Sequence, residues 1–103
     1  MARPILPRLS PKEQLILDLL ISRRDGGMYG LELVGASRGR LKRGTVYVTL
    51  ARMEDKGFVT SRQEEAPATA GGLPRRIYAP TGLGRRLASA HAQLAKLLPE
   101  LAR

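Results

Sequence analysis

Hydrophobic positions change period twice along the chain, and each change marks a new kind of element. From Leu15 to Ile21 the apolar residues Leu15, Ile16, Leu17, Leu19, Leu20 and Ile21 are interrupted only by Asp18. On a helix they fall on nearly every side, so that helix must be covered on more than one side. Ser10-Pro11-Lys12-Glu13 is a capping box with Pro at the first helical position, and the helix is expected to run to about Arg23. Asp25-Gly26-Gly27 reads as a turn, and Met28 to Val34 as a short second helix offering Leu31 and Val34 to the core. The residues from Gly35 to Arg40 form a basic turn or frayed end. Next, Val46, Leu50 and Met53 recur at i, i+4 and i+7, one stripe of an amphipathic helix from Arg43. Gly57 stands just past its end, where a left-handed residue is wanted and Gly takes that conformation without strain.

After Gly57 the alternation shortens. Phe58 to Glu64 is rich in β-formers and reads as a strand, Ala66 to Pro74 as a long loop, and Arg75 to Ala79 as a second strand. Pro80 and Thr81 then open a last helix, with Thr81 as its cap. In it Leu83, Leu87, Ala90, Leu94, Leu97 and Leu101 follow at steps of 4, 3, 4, 3 and 4. That alternation is a heptad seam, and Pro99 should kink or stop the helix around Leu98.

Two helices joined by a short connection, the second basic at its start, make a helix-turn-helix arrangement. A hairpin whose long loop is bracketed by Arg62 and by Arg75 and Arg76 has the form of a wing beside it. The expected fold is therefore mainly α with a small β-hairpin, a winged helix-turn-helix followed by a C-terminal dimerisation helix. The expected divisions are a basic N-terminal arm over 1–9, the winged helix-turn-helix over 10–80, and the dimerisation helix over 81–103. A domain this small has little surface to bury so long a leucine stripe, and the first helix has an apolar side to spare. Leu17 and Ile21 are thus expected to meet Leu83, Leu87, Ala90, Leu94, Leu97 and Leu101 across the two-fold axis of a homodimer.

Charge sharpens the functional reading. Eighteen Lys and Arg against nine acids leave a net +9 on 103 residues, which points to a polyanionic partner: nucleic acid first, an acidic membrane surface second. The leucines of the last helix read better as a helix seam than as a wide lipid-facing side, and no apolar run is long enough to span a bilayer. Cysteine is absent, which excludes a disulfide framework and any Cys-based zinc site and suits a reducing cytosol. Nothing near the start resembles a signal peptide. Catalysis finds little support: His91 is the only histidine, set in an Ala-rich helix, and no nucleophile, phosphate-loop or paired-carboxylate pattern is present. No enzyme activity, cofactor or metal is expected.

The chemistry concentrates at the start of the helix from Arg43. Its free backbone N–H groups, the positive end of its dipole, and Lys42 and Arg43 converge on one spot suited to phosphate. Thr45, Val48, Thr49 and Arg52 share its outward side, as short or basic side chains that fit a groove. An ordinary charged surface helix and a solubilising hairpin explain each segment separately. The conjunction of the two is what favours DNA.

Tyr29-Gly30-Leu31-Glu32-Leu33, Gly44-Thr45-Val46-Tyr47, Leu50-Ala51-Arg52-Met53-Glu54-Asp55-Lys56-Gly57 and Pro74-Arg75-Arg76-Ile77-Tyr78-Ala79-Pro80-Thr81 occur in that order. In order and spacing they resemble the PadR family of bacterial winged helix-turn-helix transcription regulators, over roughly residues 10 to 90. The resemblance implies a homodimer that represses transcription from a palindromic operator in double-stranded DNA, acting in the cytoplasm at the nucleoid. It also makes a small-molecule effector that releases DNA a candidate partner. The family's Gly-Thr-x-Tyr motif falls on Gly44, Thr45 and Tyr47, and its wing arginines on Arg75 and Arg76; many members have Pro near the position of Val48. Backbone N–H groups at Gly44 and Thr45, the Thr45 hydroxyl, the Tyr47 phenol and Tyr29 are then expected on phosphates, with Arg43, Thr49 and Arg52 at base edges.

The competing readings are a basic nucleic-acid-binding winged helix without operator specificity, and a winged helix that meets an acidic protein. A large preference for operator over random DNA separates the first from a regulator, and absence of DNA affinity at low salt identifies the second.

Overall fold

Four helices and a three-stranded antiparallel sheet make up a computed structural model that describes residues 8–24, 27–64 and 75–101, the last three as backbone only. In chain order they are α1 (Pro11–Ser22), β1 (Met28–Tyr29), α2 (Gly30–Ala36), α3 (Arg43–Asp55), β2 (Val59–Gln63), β3 (Arg76–Pro80) and α4 (Gly82–Leu101). The expected arm, apart from Arg8 and Leu9, lies outside the described residues, as do Asp25-Gly26 of the first turn and the wing loop from Ala66 to Pro74.

The α1 start is the capping box expected from sequence. The Ser10 N–H donates to Glu13 Oε1 at 2.9 Å, and the Glu13 N–H donates to Ser10 Oγ at 3.1 Å. Glu13 is itself buried and takes a third bond from Lys56 Nζ at 3.0 Å, which ties the start of α1 to the end of α3. Burial alone would raise the Glu13 carboxyl. The bonds from Ser10 and Lys56, with the Lys56 charge, outweigh it and hold the group below its ordinary value.

Sequence periodicity misplaced one element. Met28 and Tyr29 do not open a helix; they form a third strand, with Met28 opposite Tyr78 and Tyr29 opposite Ile77. The sheet order is β1-β3-β2, so the expected hairpin is extended by one short edge strand. The backbone groups of Met28 and Tyr29 gain partners on β3 that a helix start would have left open. The Glu32 carboxylate then accepts the Tyr29 N–H at 3.0 Å, and α2 starts at Gly30.

Between α2 and α3 the buried Ser37 hydroxyl donates to the Val34 carbonyl at 2.7 Å and accepts the Leu41 N–H at 2.9 Å. Arg38 and Gly39, at φ 54° and 86°, reverse the chain there. At the far end of α3, Gly57 has φ 81°; its N–H donates to the Glu54 carbonyl and the Phe58 N–H to Met53. This is the left-handed helix stop expected at Gly57, closed by burial of both Phe58 and Met53.

Ile16, Leu17, Leu20, Leu33, Val46, Leu50 and Met53 are wholly buried, and Met28, Leu41, Phe58, Val59, Tyr78, Leu87 and Ala88 complete the core cluster. At about 1.5–3 kcal/mol per large apolar side chain, this one cluster supplies the main drive for folding. The Thr81 hydroxyl donates to the Gly57 carbonyl at 2.6 Å and accepts the Gly84 N–H at 3.0 Å, starting α4 as expected. Gly84 lets α4 seat closely, because a Cβ there would collide with the Phe58 carbonyl and stand 3.2 Å from Leu17 Cδ2. The α4 backbone stays helical through Pro99 to Leu101, past the stop expected near Leu98. So close to the end, the missing N–H removes a single helical bond.

Two residues expected at a subunit interface are spent inside the subunit. Leu17 is fully buried and Leu87 is 3% exposed, both in the core. The reason is the close approach of α4 to α1 at Gly84, which takes Leu87 into the core of its own domain and leaves Leu83 exposed.

Candidate nucleic-acid interface

The start of α3 is open. Its cap residue Lys42 is extended and makes no side-chain cap bond, the first turn holds no acid, and the first helical bond runs from Val46 N–H to the Lys42 carbonyl at 2.9 Å. The N–H groups of Arg43, Gly44 and Thr45 therefore have no partner within the helix. Lys42, Arg43 and Gly44 are all exposed, and a Cβ at Gly44 would meet nothing within 4 Å. An anion can reach these N–H groups, favoured by the helix dipole and two cations.

The α3 ridge stands between two clefts. On the α2 and wing side, a cleft of about 440 Å³ is lined by Tyr29, Gly30, Leu31, Arg43, Tyr47, Arg75 and Arg76. It gathers five residues that the sequence had nominated from three separate segments. Gly30 is its floor: the Tyr47 ring lies where a Gly30 Cβ would be, 2.5 Å from its Cε1. Arg75 lies over the Tyr29 ring, its Cζ 4.2 Å from the centroid, and donates to Glu64 at 3.2 Å. Arg76 donates to the Ser61 hydroxyl at 3.0 Å, which donates in turn to Glu54 on α3 at 2.6 Å. This relay fixes the wing against α3. Burial, helped by the charges of Glu54 and Tyr47 and opposed by Arg76, raises the Tyr78 phenol beneath it.

On the other side, a groove of about 480 Å³ runs between α3 and the start of α1, lined by Ser10, Lys12, Glu13, Gly44, Thr45, Val48, Thr49, Arg52 and Lys56. Val48 is 53% exposed, and Arg52 points into solvent on the same side. The Thr49 hydroxyl donates back to the Thr45 carbonyl at 2.8 Å, so toward a ligand it is left as an acceptor. Lys42 lines neither cleft. Sequence reasoning passed over Lys12 and Lys56. Lys56 follows directly on the α3 stripe and was within reach, whereas Lys12 depends on where α1 begins relative to α3, which periodicity does not carry.

Of the other nominated residues, Ile21 is half-buried against the core and Ala90 is half-buried on α4. Leu83, Leu94 and Leu97 are 41%, 44% and 50% exposed, and Leu98 joins them at 54%. The Leu101 side chain lies outside the described residues. His91 is half-buried beside Pro11, Asp18, Leu94 and Leu98 in a shallow groove between α1 and α4. Among the described residues, no cluster of His, Cys, Asp and Glu is disposed to hold a metal, and no helix is long and apolar enough to cross a membrane.

The family described as the transcriptional regulator PadR-like family matches residues 16–90. In fold and sequence the chain is similar to a PadR family transcription regulator from hypervirulent Clostridium difficile, with 28% identity and a TM-score of 0.71 over 85% of this chain and 90% of that one. It is also similar to a PadR family transcriptional regulator from Eggerthella lenta, with 27% identity and a TM-score of 0.65 over 88% and 80% of the two chains. A PadR-like transcription factor from Bacteroides fragilis shares the fold, with a TM-score of 0.73 at 23% identity over 88% and 85%. Among curated proteins, none matches the sequence.

Proposed function

The chain belongs to the PadR-like family of transcriptional regulators, and on that premise we propose that it is a homodimeric repressor of a palindromic operator, reading DNA with α3 and bracing it with the wing. The observation that carries this reading is the convergence of Tyr29, Arg43, Tyr47, Arg75 and Arg76 in one cleft beside an uncapped, exposed start of α3. Phosphates on that side meet Arg43, Tyr47 and the α3 N–H groups, which sets register. Val48, Thr49 and Arg52 then face the base edges: apolar contact with thymine methyls suits Val48 and the Thr49 methyl, and Arg52 can grip guanine.

Leu94, Leu97 and Leu98 are exposed close together on α4, with Leu83 exposed about three turns before them, the kind of apolar surface a subunit contact covers. Pairing there sets two copies of α3 into successive major grooves about one helical turn apart. Occupation of an operator by such a dimer excludes the polymerase, and a small molecule seated in either cleft beside α3 competes with DNA for the same surface.

The experiment is a fluorescence-anisotropy titration of operator and random duplexes over a range of salt. Operator binding should exceed random binding by at least about a thousandfold. Arg75→Ala should weaken both and flatten the salt dependence by about one unit of slope. Equal affinity for the two duplexes would favour a basic module without operator specificity. An unchanged slope would remove Arg75 from the interface.

A further inference from the structure

The wing arginine is already engaged inside the subunit. Arg75 Nη2 donates to Glu64 Oε1 at 3.2 Å, while the Tyr29 hydroxyl donates to Glu64 Oε2 at 3.3 Å. The Arg75 guanidinium meanwhile lies over the Tyr29 ring, its Cζ 4.2 Å from the centroid. The Glu64 N–H also donates to the Arg75 carbonyl at 2.6 Å, so the two residues face each other where the β2–β3 ladder opens into the wing. One carboxylate thus presents two oxygens to a guanidinium and a hydroxyl, the pair of donors a backbone phosphate would use.

We propose that Glu64 is an internal phosphate surrogate: it holds Arg75 on Tyr29 in the free protein and must yield Arg75 when a DNA phosphate arrives, which lowers affinity for all DNA. The proposal rests on the DNA-binding reading above. A phosphate that gains Arg75 releases its counterion in either case, but an Arg75 paired with Glu64 must first give up the anion it already holds. The pair is exposed, with Arg75 and Glu64 side chains 57% and 29% accessible, so the exchange is cheap enough to occur. Tyr29 remains beneath the guanidinium in both states and keeps Arg75 in place through the cation–π contact.

The test measures binding of the full chain to a short random-sequence duplex by anisotropy at several salt concentrations. Variants are Glu64→Gln, Glu64→Ala, Arg75→Ala and the double variant Glu64→Gln with Arg75→Ala. Both Glu64 variants should bind roughly two- to fivefold more tightly than the wild type at each salt concentration. That gain should vanish when Arg75 is absent. Unchanged or weaker binding by the Glu64 variants overturns the proposal, and so does a gain that persists without Arg75, which would mark a general effect of removing one negative charge. Failure of the wild type itself to bind DNA at low salt would instead defeat the DNA-binding reading.

Discussion

Gly30→Ala should improve a helix and harm DNA binding. Gly30 opens α2 and is buried beneath Tyr47; a Cβ there would stand 2.5, 2.7 and 2.9 Å from Tyr47 Cε1, Cζ and the hydroxyl. All three atoms belong to the far end of a side chain that is 42% exposed, so the ring can swing into solvent while the backbone stays put. Ala exceeds Gly in helix preference by up to about 1 kcal/mol, which offsets the small packing lost by the ring. Stability should therefore shift by less than about 1 kcal/mol in either direction. Binding is another matter, because in the proposed DNA complex the displaced phenol no longer reaches a phosphate. A hydrogen bond to a charged group contributes about 1.5–3 kcal/mol, or roughly a tenfold to hundredfold loss of affinity. Urea denaturation and anisotropy on Gly30→Ala, Tyr47→Phe and the double variant separate the two effects. The double variant should bind no worse than the weaker single variant. Wild-type binding by Gly30→Ala, or losses that add fully, would refute Tyr47 as the route from Gly30 to DNA.

Further outcomes follow from burial and packing. Leu94→Glu should leave subunit stability within about 0.5 kcal/mol yet yield monomers by light scattering, since Leu94 is 44% exposed; a stable Leu94→Glu dimer would move the interface elsewhere. Leu87→Ala, in the core at 3% exposure, should instead cost about 2–5 kcal/mol in urea denaturation. Gly84→Ala drives a methyl into the Phe58 carbonyl and should cost about 1–3 kcal/mol, with an unchanged melting temperature contradicting the close seating of α4. Glu13 is held below its ordinary value in the fold, so its bonds stabilise above the unfolded carboxyl range and are lost as pH falls through the folded pKa. Glu13→Gln should flatten the acid side of a stability-against-pH curve, and an equally steep acid limb would argue against that role.

The sequence carried local structure better than it carried contacts. Capping at Ser10, the stripe of Val46, Leu50 and Met53, and the stop at Gly57 are each decided within one or two helical turns, and all three are present. Met28 and Tyr29 went astray because two residues are too few for a period, and their strand character comes from β3, about fifty residues away. Leu17 and Leu87 were expected with Leu94 at one subunit contact, but Gly84 brings α4 so near α1 that these two are buried inside the subunit. In the cleft proposed to meet DNA, the residue types of Arg43, Tyr47, Arg75 and Arg76 suggested the chemistry. Only the fold shows that Tyr29 lies under Arg75, that Glu64 sits against both, and that Lys12 borders α3.

Selection of bound fragments from a random duplex pool by the full-length chain bears most directly on the whole account. Enrichment of an inverted repeat, with half-site centres roughly 34–36 Å apart, is the expected product of two α3 helices related by a two-fold axis. A pool that emerges without a shared sequence, or with a single unrepeated half-site, would contradict it.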